Sequence, residues 1–268
     1  MKSPGFRLYA IAYLLFLYAP IILLPLFAFN DSKVIAFPLS GFTTSWFATM
    51  WEDQNLWNAA QNSLIISTTT AIFATLLGLF AARASTRFNF PGSGGALGLI
   101  MLPLVLPEMI VAMAMLAVLL TIGFPLSIFT IILGHVLLCT PFAVAILSSA
   151  FQSLDRSLEE AAQDLGETPL STFWLIILPL VMPGIISSLL ICFTISLDEF
   201  IMAYFLGGNE PVLSTYIYGQ FRFPARVPAI MALGTILVCL SITLLAIAEW
   251  FRRRGIAKSG GTDTGGFL

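Results

Sequence analysis

Charge is what this sequence has least of. Only 12 Lys or Arg and 14 Asp or Glu occur among 268 residues, so charged side chains make up 10% of the chain. A soluble domain carries about 25%. With 58% hydrophobic residues and a mean hydropathy of +0.95, this chain has more apolar surface than a water-soluble core can hide. It must use lipid as solvent, as an integral membrane protein. A formal net charge of −2 and a pI near 5.3 give no footing for nucleic acid.

Metal-binding and nucleophilic residue types are equally scarce. Cys139, Cys192 and Cys239 are far apart in apolar runs, with no CxxC and no Cys/His cluster, so neither a zinc site nor a disulfide framework is indicated. The single histidine, His135, also sits in an apolar run and reads as a packed or hydrogen-bonded helix residue. One histidine and scattered serines supply no nucleophile–base set, which argues against a membrane-embedded enzyme. The Gly92-Ser93-Gly94-Gly95 tract lacks the Lys-Ser/Thr ending of a P-loop and reads as a turn. No internal repeat of the kind common in secondary transporters is visible.

What the chain does have is long apolar runs. Each is near the roughly 20 residues that a helix needs to cross about 30 Å of hydrocarbon. They place six transmembrane helices at about 8–29, 61–82, 96–120, 126–148, 176–206 and 229–251, an all-α polytopic membrane protein in one domain, 1–268. The first run follows a short basic start and lacks a signal peptide's small-residue cleavage site, so it reads as a retained anchor, bent by Pro20 and Pro25. The third is interrupted by Pro103, Pro107 and Glu108, which points to an unwound stretch. Residues 30–60 carry Trp46, Trp51 and Trp57, consistent either with a short amphipathic stretch at the membrane surface or with an ordinary packed loop. The region 83–95 reads as a loop, and the Gly/Ser/Thr tail at about 255–268 as disordered.

Six spans put both termini on one side. With the N-terminus cytoplasmic, that side holds Lys2, Arg7, Arg83, Arg87, Arg156, Arg252, Arg253, Arg254 and Lys258, against Lys33, Arg222 and Arg226 outside. The positive-inside bias selects this orientation. It also places in the cytoplasm a polar island at about 153–176, between two apolar runs.

That island reads as a helical hairpin. Asp155 is a plausible N-cap, and Ser157-Leu158-Glu159-Glu160 fits a capping box. Gly166 can take the left-handed conformation that ends the first helix. Thr168-Pro169 looks like an N-cap with proline at the first position of a second helix. Ala161 and Ala162 make one face small and open to a partner. A solvated connector between two spans has the same features, so spacing alone leaves both readings open.

A resemblance separates them. Glu160-Ala161-Ala162, three residues, Gly166, nine residues, then Ile176-x-Leu178-Pro179 matches without a gap the cytoplasmic signature of ABC-importer permeases. The likeness covers nearly the whole chain. It is nearest to the second permease of spermidine/putrescine importers, supported by 59–64, by Phe193 to Glu199, and by Tyr216-Ile217-Tyr218 with 232–237. The resemblance implies a type I ABC-importer permease fold in the bacterial inner membrane. It implies that Glu160, Ala161, Ala162, Asp164 and Gly166 couple to a cytoplasmic ATPase, with Pro179 and Pro183 as hinge. It implies a second permease as heterodimer partner, two copies of the ATPase and a solute-binding protein docking on the outer loops 30–60 and 207–228. ATP and Mg would belong to the ATPase; this chain would be non-catalytic and bind no cofactor.

Three carboxylates lie in apolar surroundings: Glu108, Asp198 and Glu199. A carboxylate near mid-membrane costs roughly 2.5–3.5 kcal/mol on insertion scales, so such groups face a cavity, a partner or a substrate path. With the resemblance they imply a path for a polyamine such as spermidine or putrescine. Pairing with a partner permease, or placement in a wet vestibule, fits the same positions. Related permeases for iron, phosphonate, opine or amino-acid derivatives share this layout. A proton relay through Glu108 and Asp198, in a secondary transporter, is the rival of another class.

Overall fold

Helix termini and helix breaks organise this chain. The computed structural model describes residues 4–88 and 91–259. The helices are α1 (Pro4–Ala28), α2 (Ser45–Trp51), α3 (Gln54–Arg87), α4 (Ser93–Val105), α5 (Glu108–Thr121) and α6 (Ile128–Gln152). There follow α7 (Ser157–Asp164), α8 (Pro169–Thr172), a π-helical turn (Phe173–Ile177), α9 (Leu178–Asp198), α10 (Ile201–Leu206), α11 (Leu213–Gln220) and α12 (Val227–Ser259). Five helical stretches are long and apolar enough to cross a membrane, and the pair α4/α5 makes a sixth if it is counted as one broken span.

The chain divides into two units, residues 1–54 with 217–268, and residues 55–216. In the first, α1 packs against α12, and α2 packs against α12 as well. The connection after α1 is a packed loop and not a featureless one. Asn30 is buried, its side-chain oxygen accepts from the Ser40 backbone N–H at 3.0 Å, and its carbonyl accepts from the Trp46 indole N–H at 2.8 Å. The packed-loop reading of 30–60 is met at Trp46, which is tied to Asn30, and the segment also holds the short helix α2. Trp57 belongs to α3.

In the second unit α6 is the hub, packed along α9 and also against α4 and α10. Its buried face meets small residues on both sides. A Cβ built on Gly78 of α3 would lie 2.5 Å from the Ala143 Cβ of α6, so only glycine permits that approach. This is how membrane helices associate when lipid is as apolar as their side chains: close backbones give the dispersion contacts. Ala71, Ala74, Cys139, Ala143 and Cys192 form one such cluster, and Leu79, Leu147, Phe151, Ile177 and Val181 another nearer the polar hairpin.

The widely spaced cysteines of the sequence meet here. Cys139 of α6 and Cys192 of α9 are buried free thiols, each near the other's carbonyl oxygen at 3.7 and 3.6 Å. His135 is buried with its Nδ1 2.7 Å from the Ser196 hydroxyl, the hydrogen-bonded role expected of it.

Several boundaries move. The region 83–95 is shorter as a loop than its composition indicates: α3 runs through Arg87, and Ser93 already starts α4 after Gly92 at φ 84°. The span expected at 96–120 is two helices bent by 108°. Leu106 is extended and Pro107 supplies no N–H, so the helix cannot continue across them. The span expected at 176–206 likewise breaks at Glu199 and Phe200, between α9 and α10. The tail expected to be disordered from 255 begins as helix, since α12 continues to Ser259; residues 260–268 lie outside the described residues.

Candidate functional site

The polar island folds as a helical hairpin built from its own capping chemistry. Helix α7 ends with Gly166 at φ 91°. The Gly166 N–H donates to the Gln163 carbonyl at 2.9 Å and the Glu167 N–H to the Ala162 carbonyl at 3.0 Å, the paired bonds of a Schellman stop. Thr168 then caps α8: its hydroxyl accepts from the Ser171 N–H at 3.2 Å, and Pro169 takes the first helical position. The Ser171 hydroxyl also meets the Glu167 carboxylate.

The start of α7 departs from expectation. No capping box forms from Ser157 to Glu160; Arg156 occupies the N-cap position without a side-chain bond. Asp155 instead accepts the Ser157 N–H at 3.0 Å one step earlier, and these bonds to Ser157 hold the exposed Asp155 carboxyl below the usual carboxylate range. The box would need Ser157 at the N-cap with Glu160 turned back onto it, but the helix starts one residue earlier, so Ser157 is already its first residue and Glu160 stays exposed.

The engagement of Glu159 is the main feature the sequence concealed. Its carboxylate pairs with Arg87 at 2.8 Å and with Arg83 at 3.7 Å, both at the end of α3. Arg87 also donates to the carbonyl oxygens of Phe151 and Leu154 at 3.2 and 3.1 Å, covering the end of α6. Arg83 lies 4.6 Å over the Phe173 ring, in the π-helical turn. Arg156 donates to the Thr86 carbonyl at 3.1 Å. Four segments are thus stitched together at one point. In the sequence these arginines speak only to membrane orientation, because nothing local pairs them with a residue so far along the chain.

The two faces of α7 follow. Glu159 and Ala162 turn inward, Ala162 being 4% exposed, while Glu160, Ala161 and Asp164 are exposed. The open face expected from both alanines is made by Ala161 alone, since neighbours on a helix point about 100° apart. Gly166 is exposed as well.

Pro179 and Pro183, expected as a hinge, lie in α9 immediately after the π-helical turn. Proline at 179 removes the donor that would close onto the residue 175 carbonyl, and the backbone there widens into the i to i+5 pattern. Prolines and π-turns are the usual places at which helices bend.

The second candidate cluster is divided. Glu108 opens α5 just after the α4/α5 break, and Glu199 sits at the α9/α10 break. The structure brings these two carboxyl groups into contact range of one another, where α5 packs on α10. Glu199 also accepts the Met202 N–H at 2.7 Å, and its carbonyl accepts from Ser214 at 3.0 Å. Asp198 points elsewhere and is exposed. Two interrupted helices therefore present two acidic groups side by side, each at the N-terminal end of a helix where backbone N–H groups favour negative charge.

Known proteins resemble this chain over most of its length. Residues 74–255 match the family described as binding-protein-dependent transport system inner membrane component. The putrescine transport system permease protein PotI of Escherichia coli (strain K12) is 37% identical over 244 residues, 88% of this chain and 86% of that protein. The spermidine/putrescine transport system permease protein PotC of the same strain is 31% identical over 239 residues, 89% of this chain and 90% of that protein. Among solved structures, a subunit of a bacterial ABC transporter that imports the acidic polysaccharide alginate superposes with a TM-score of 0.69 at 17% identity, covering 92% of this chain and 98% of that one. A chain of the MetNI methionine ABC transporter gives 0.59 at 17% identity, covering 78% and 98%.

Proposed function

This chain belongs to the family of binding-protein-dependent transport system inner membrane components, and from that premise we propose that the solute its importer carries is a polyamine such as putrescine or spermidine. The chain is a membrane-embedded, non-catalytic permease subunit of an ABC importer, and ATP hydrolysis belongs to a separate ATPase.

The observation that carries the solute reading is the pair Glu108 and Glu199. Two carboxyl groups held at two helix breaks form a counter-charge for a compact diammonium or triammonium ion. Asp198, next to Glu199 in sequence, is exposed and offers a separate acidic group. The identity to permeases named for putrescine and spermidine supports the same chemistry. An importer of anionic phosphonates would gain nothing from such a pair.

Coupling falls to the exposed face of α7 and its stop: Glu160, Ala161, Asp164 and Gly166 meet the ATPase, with Ala162 seating the helix from beneath. Two copies of the ATPase would drive a heterodimer of this chain with a second permease, and a solute-binding protein would dock on the outer face. In this reading both termini and α7 are cytoplasmic, in the inner membrane of a bacterium. ATP and Mg are bound by the ATPase alone.

The test is reconstitution of the assembled importer and measurement of ATP hydrolysis with putrescine, spermidine, ferric ion, an amino acid and a phosphonate, each with the cognate binding protein. Stimulation by putrescine or spermidine is the expected result. Stimulation by a non-cationic solute alone overturns the polyamine reading, and uptake driven by a pH gradient without ATP overturns the importer assembly.

A further inference from the structure

Around the Glu159 clasp the charges do not balance. A cavity of about 280 Å³ is lined by Arg83, Arg87, Arg156, Glu159 and Glu160. Glu159 is shared between Arg87 and Arg83, and Glu160 is exposed. Arg87 is neutralised by its ion pair with Glu159, and its Nη2 donates to two carbonyl oxygens. The Nη1 of Arg83 is buried without a hydrogen-bond partner. Arg156 forms no ion pair among the described residues, and its one bond is to the neutral Thr86 carbonyl. A buried guanidinium N–H without an acceptor is costly, and such a group calls for a missing one.

A second cavity, of about 440 Å³, adjoins the first. The two share Arg83, Phe88 and Pro169 as walls. The second is apolar: Leu79, Phe80, Leu170, Phe173 and Trp174 complete it, and Phe80, Leu170 and Trp174 are exposed. It lies where the apolar helices α3 and α9 reach the polar hairpin, and Trp174 is the residue type that settles at a membrane–water interface. One end of the composite groove therefore wants an anion and the other wants hydrocarbon. The order along the helices matches a lipid standing in the leaflet on the α7 side, headgroup toward α7 and chain toward mid-membrane.

We infer that this groove binds one anionic phospholipid, its phosphate held by Arg83 and Arg156 and an acyl chain laid against Leu170, Phe173 and Trp174. Guanidinium groups suit the site because their planar forks match phosphate oxygens in pairs. Basic pockets at the membrane edge between spanning helices are a recurrent way of holding acidic headgroups. A free anion would satisfy the arginines and leave the apolar half unexplained. The lipid would sit against the residues that fix α7 to α3, so it stabilises the hairpin whatever solute is carried.

The test is native mass spectrometry of the assembled importer, extracted in mild detergent from membranes containing phosphatidylglycerol and phosphatidylethanolamine. One phosphatidylglycerol retained per copy of this chain, in preference to phosphatidylethanolamine, is the expected result. Arg156→Gln, at an exposed position, should lower that retention about fivefold, the order expected for one basic residue at a lipid surface. Leu170→Trp, which fills the apolar cavity and leaves every arginine in place, should lower it comparably. Equal retention of the two lipids, or retention unchanged in both variants, overturns the inference. Loss in Arg156→Gln with full retention in Leu170→Trp overturns it too, because the site would then hold an anion and no chain.

Discussion

Arg87 of α3 grips Glu159 of α7 at 2.8 Å while the same guanidinium donates to the Phe151 and Leu154 carbonyl oxygens at the end of α6. The side chains are mostly buried, Arg87 being 9% and Glu159 16% exposed. One guanidinium therefore fixes α7 to two membrane helices at once. A push on α7 reaches α3 and α6 through this clasp, besides reaching α9 through the chain itself.

Breaking one partner should cost far more than exchanging both. Glu159→Gln leaves Arg83 and Arg87 facing each other without a counter-charge, and an unpaired buried charge costs about 3–5 kcal/mol. The partial exposure of these side chains places the site toward the lower end. Thermal unfolding of the assembled importer should fall clearly for Glu159→Gln and for Arg87→Gln. Their double mutant should show a coupling energy of roughly 0.5–3 kcal/mol. Additive losses would mean that the pair is a bystander.

Gly166 carries a different kind of demand. At φ 91° it holds a conformation that a β-branched side chain adopts only under strain, about 1–3 kcal/mol. Nothing lies within 4 Å of where its Cβ would be, so no clash confuses the test. Gly166→Val should therefore leave the protein in the membrane but disturb the Schellman stop that sets the exit from α7. Uptake should fall severalfold while ATP hydrolysis by the partner persists. Normal uptake at normal expression would remove Gly166 from the coupling machinery.

How much of this was legible depends on how local each feature is. Gly166 as a helix stop, and Thr168 with Pro169 as a helix start, need only neighbours in the chain, and both are found as read. Interruption of the third span at Pro107 was likewise legible, because proline removes a donor wherever it stands. The 108° bend was not, since its size is set by what α4 and α5 pack against. The π-helical turn had a signal in Pro179, four residues beyond Leu175, but proline kinks take several forms. The Arg87–Glu159, Glu108–Glu199 and Cys139–Cys192 meetings are tertiary, and no periodicity or spacing encodes them. Ser157 and Glu160 illustrate the limit: local chemistry offers them a capping box, yet the helix starts one residue earlier and Asp155 takes the Ser157 N–H.

Close packing in the second unit makes its own forecast. Gly78→Leu would drive a side chain into Ala143, where even a Cβ would sit 2.5 Å from the Ala143 Cβ and 2.9 Å from the Ala143 carbonyl carbon. Overpacking of this kind costs about 1–3 kcal/mol, and the contact atoms here include rigid backbone, so the upper end applies. Cysteine cross-linking between α3 and α6, or the melting temperature of the purified complex, should register the separation. A Gly78→Leu protein as stable as the parent would show that the α3–α6 approach is looser than the structure has it.

The acidic residues can be separated by how each is held. Glu199 is a structural acceptor as well as a charge, since its carboxylate receives the Met202 N–H at the start of α10. Gln at 199 keeps an oxygen for that bond and removes the ionisable carboxyl group, so Glu199→Gln tests the acid and leaves the cap in place. Asp198 has no such duty and is exposed, so Asp198→Asn should leave assembly intact. If the pair Glu108 and Glu199 is the counter-charge for a polyamine, Glu199→Gln should weaken putrescine-stimulated ATP hydrolysis at least tenfold in apparent affinity, a loss of about 1.4 kcal/mol for one charge contact. Asp198→Asn should lower transport less than Glu199→Gln does, because it faces away from the pair. The reverse order, with Asp198→Asn the more damaging, would move the solute path off the two helix breaks and onto the exposed face that carries Asp198.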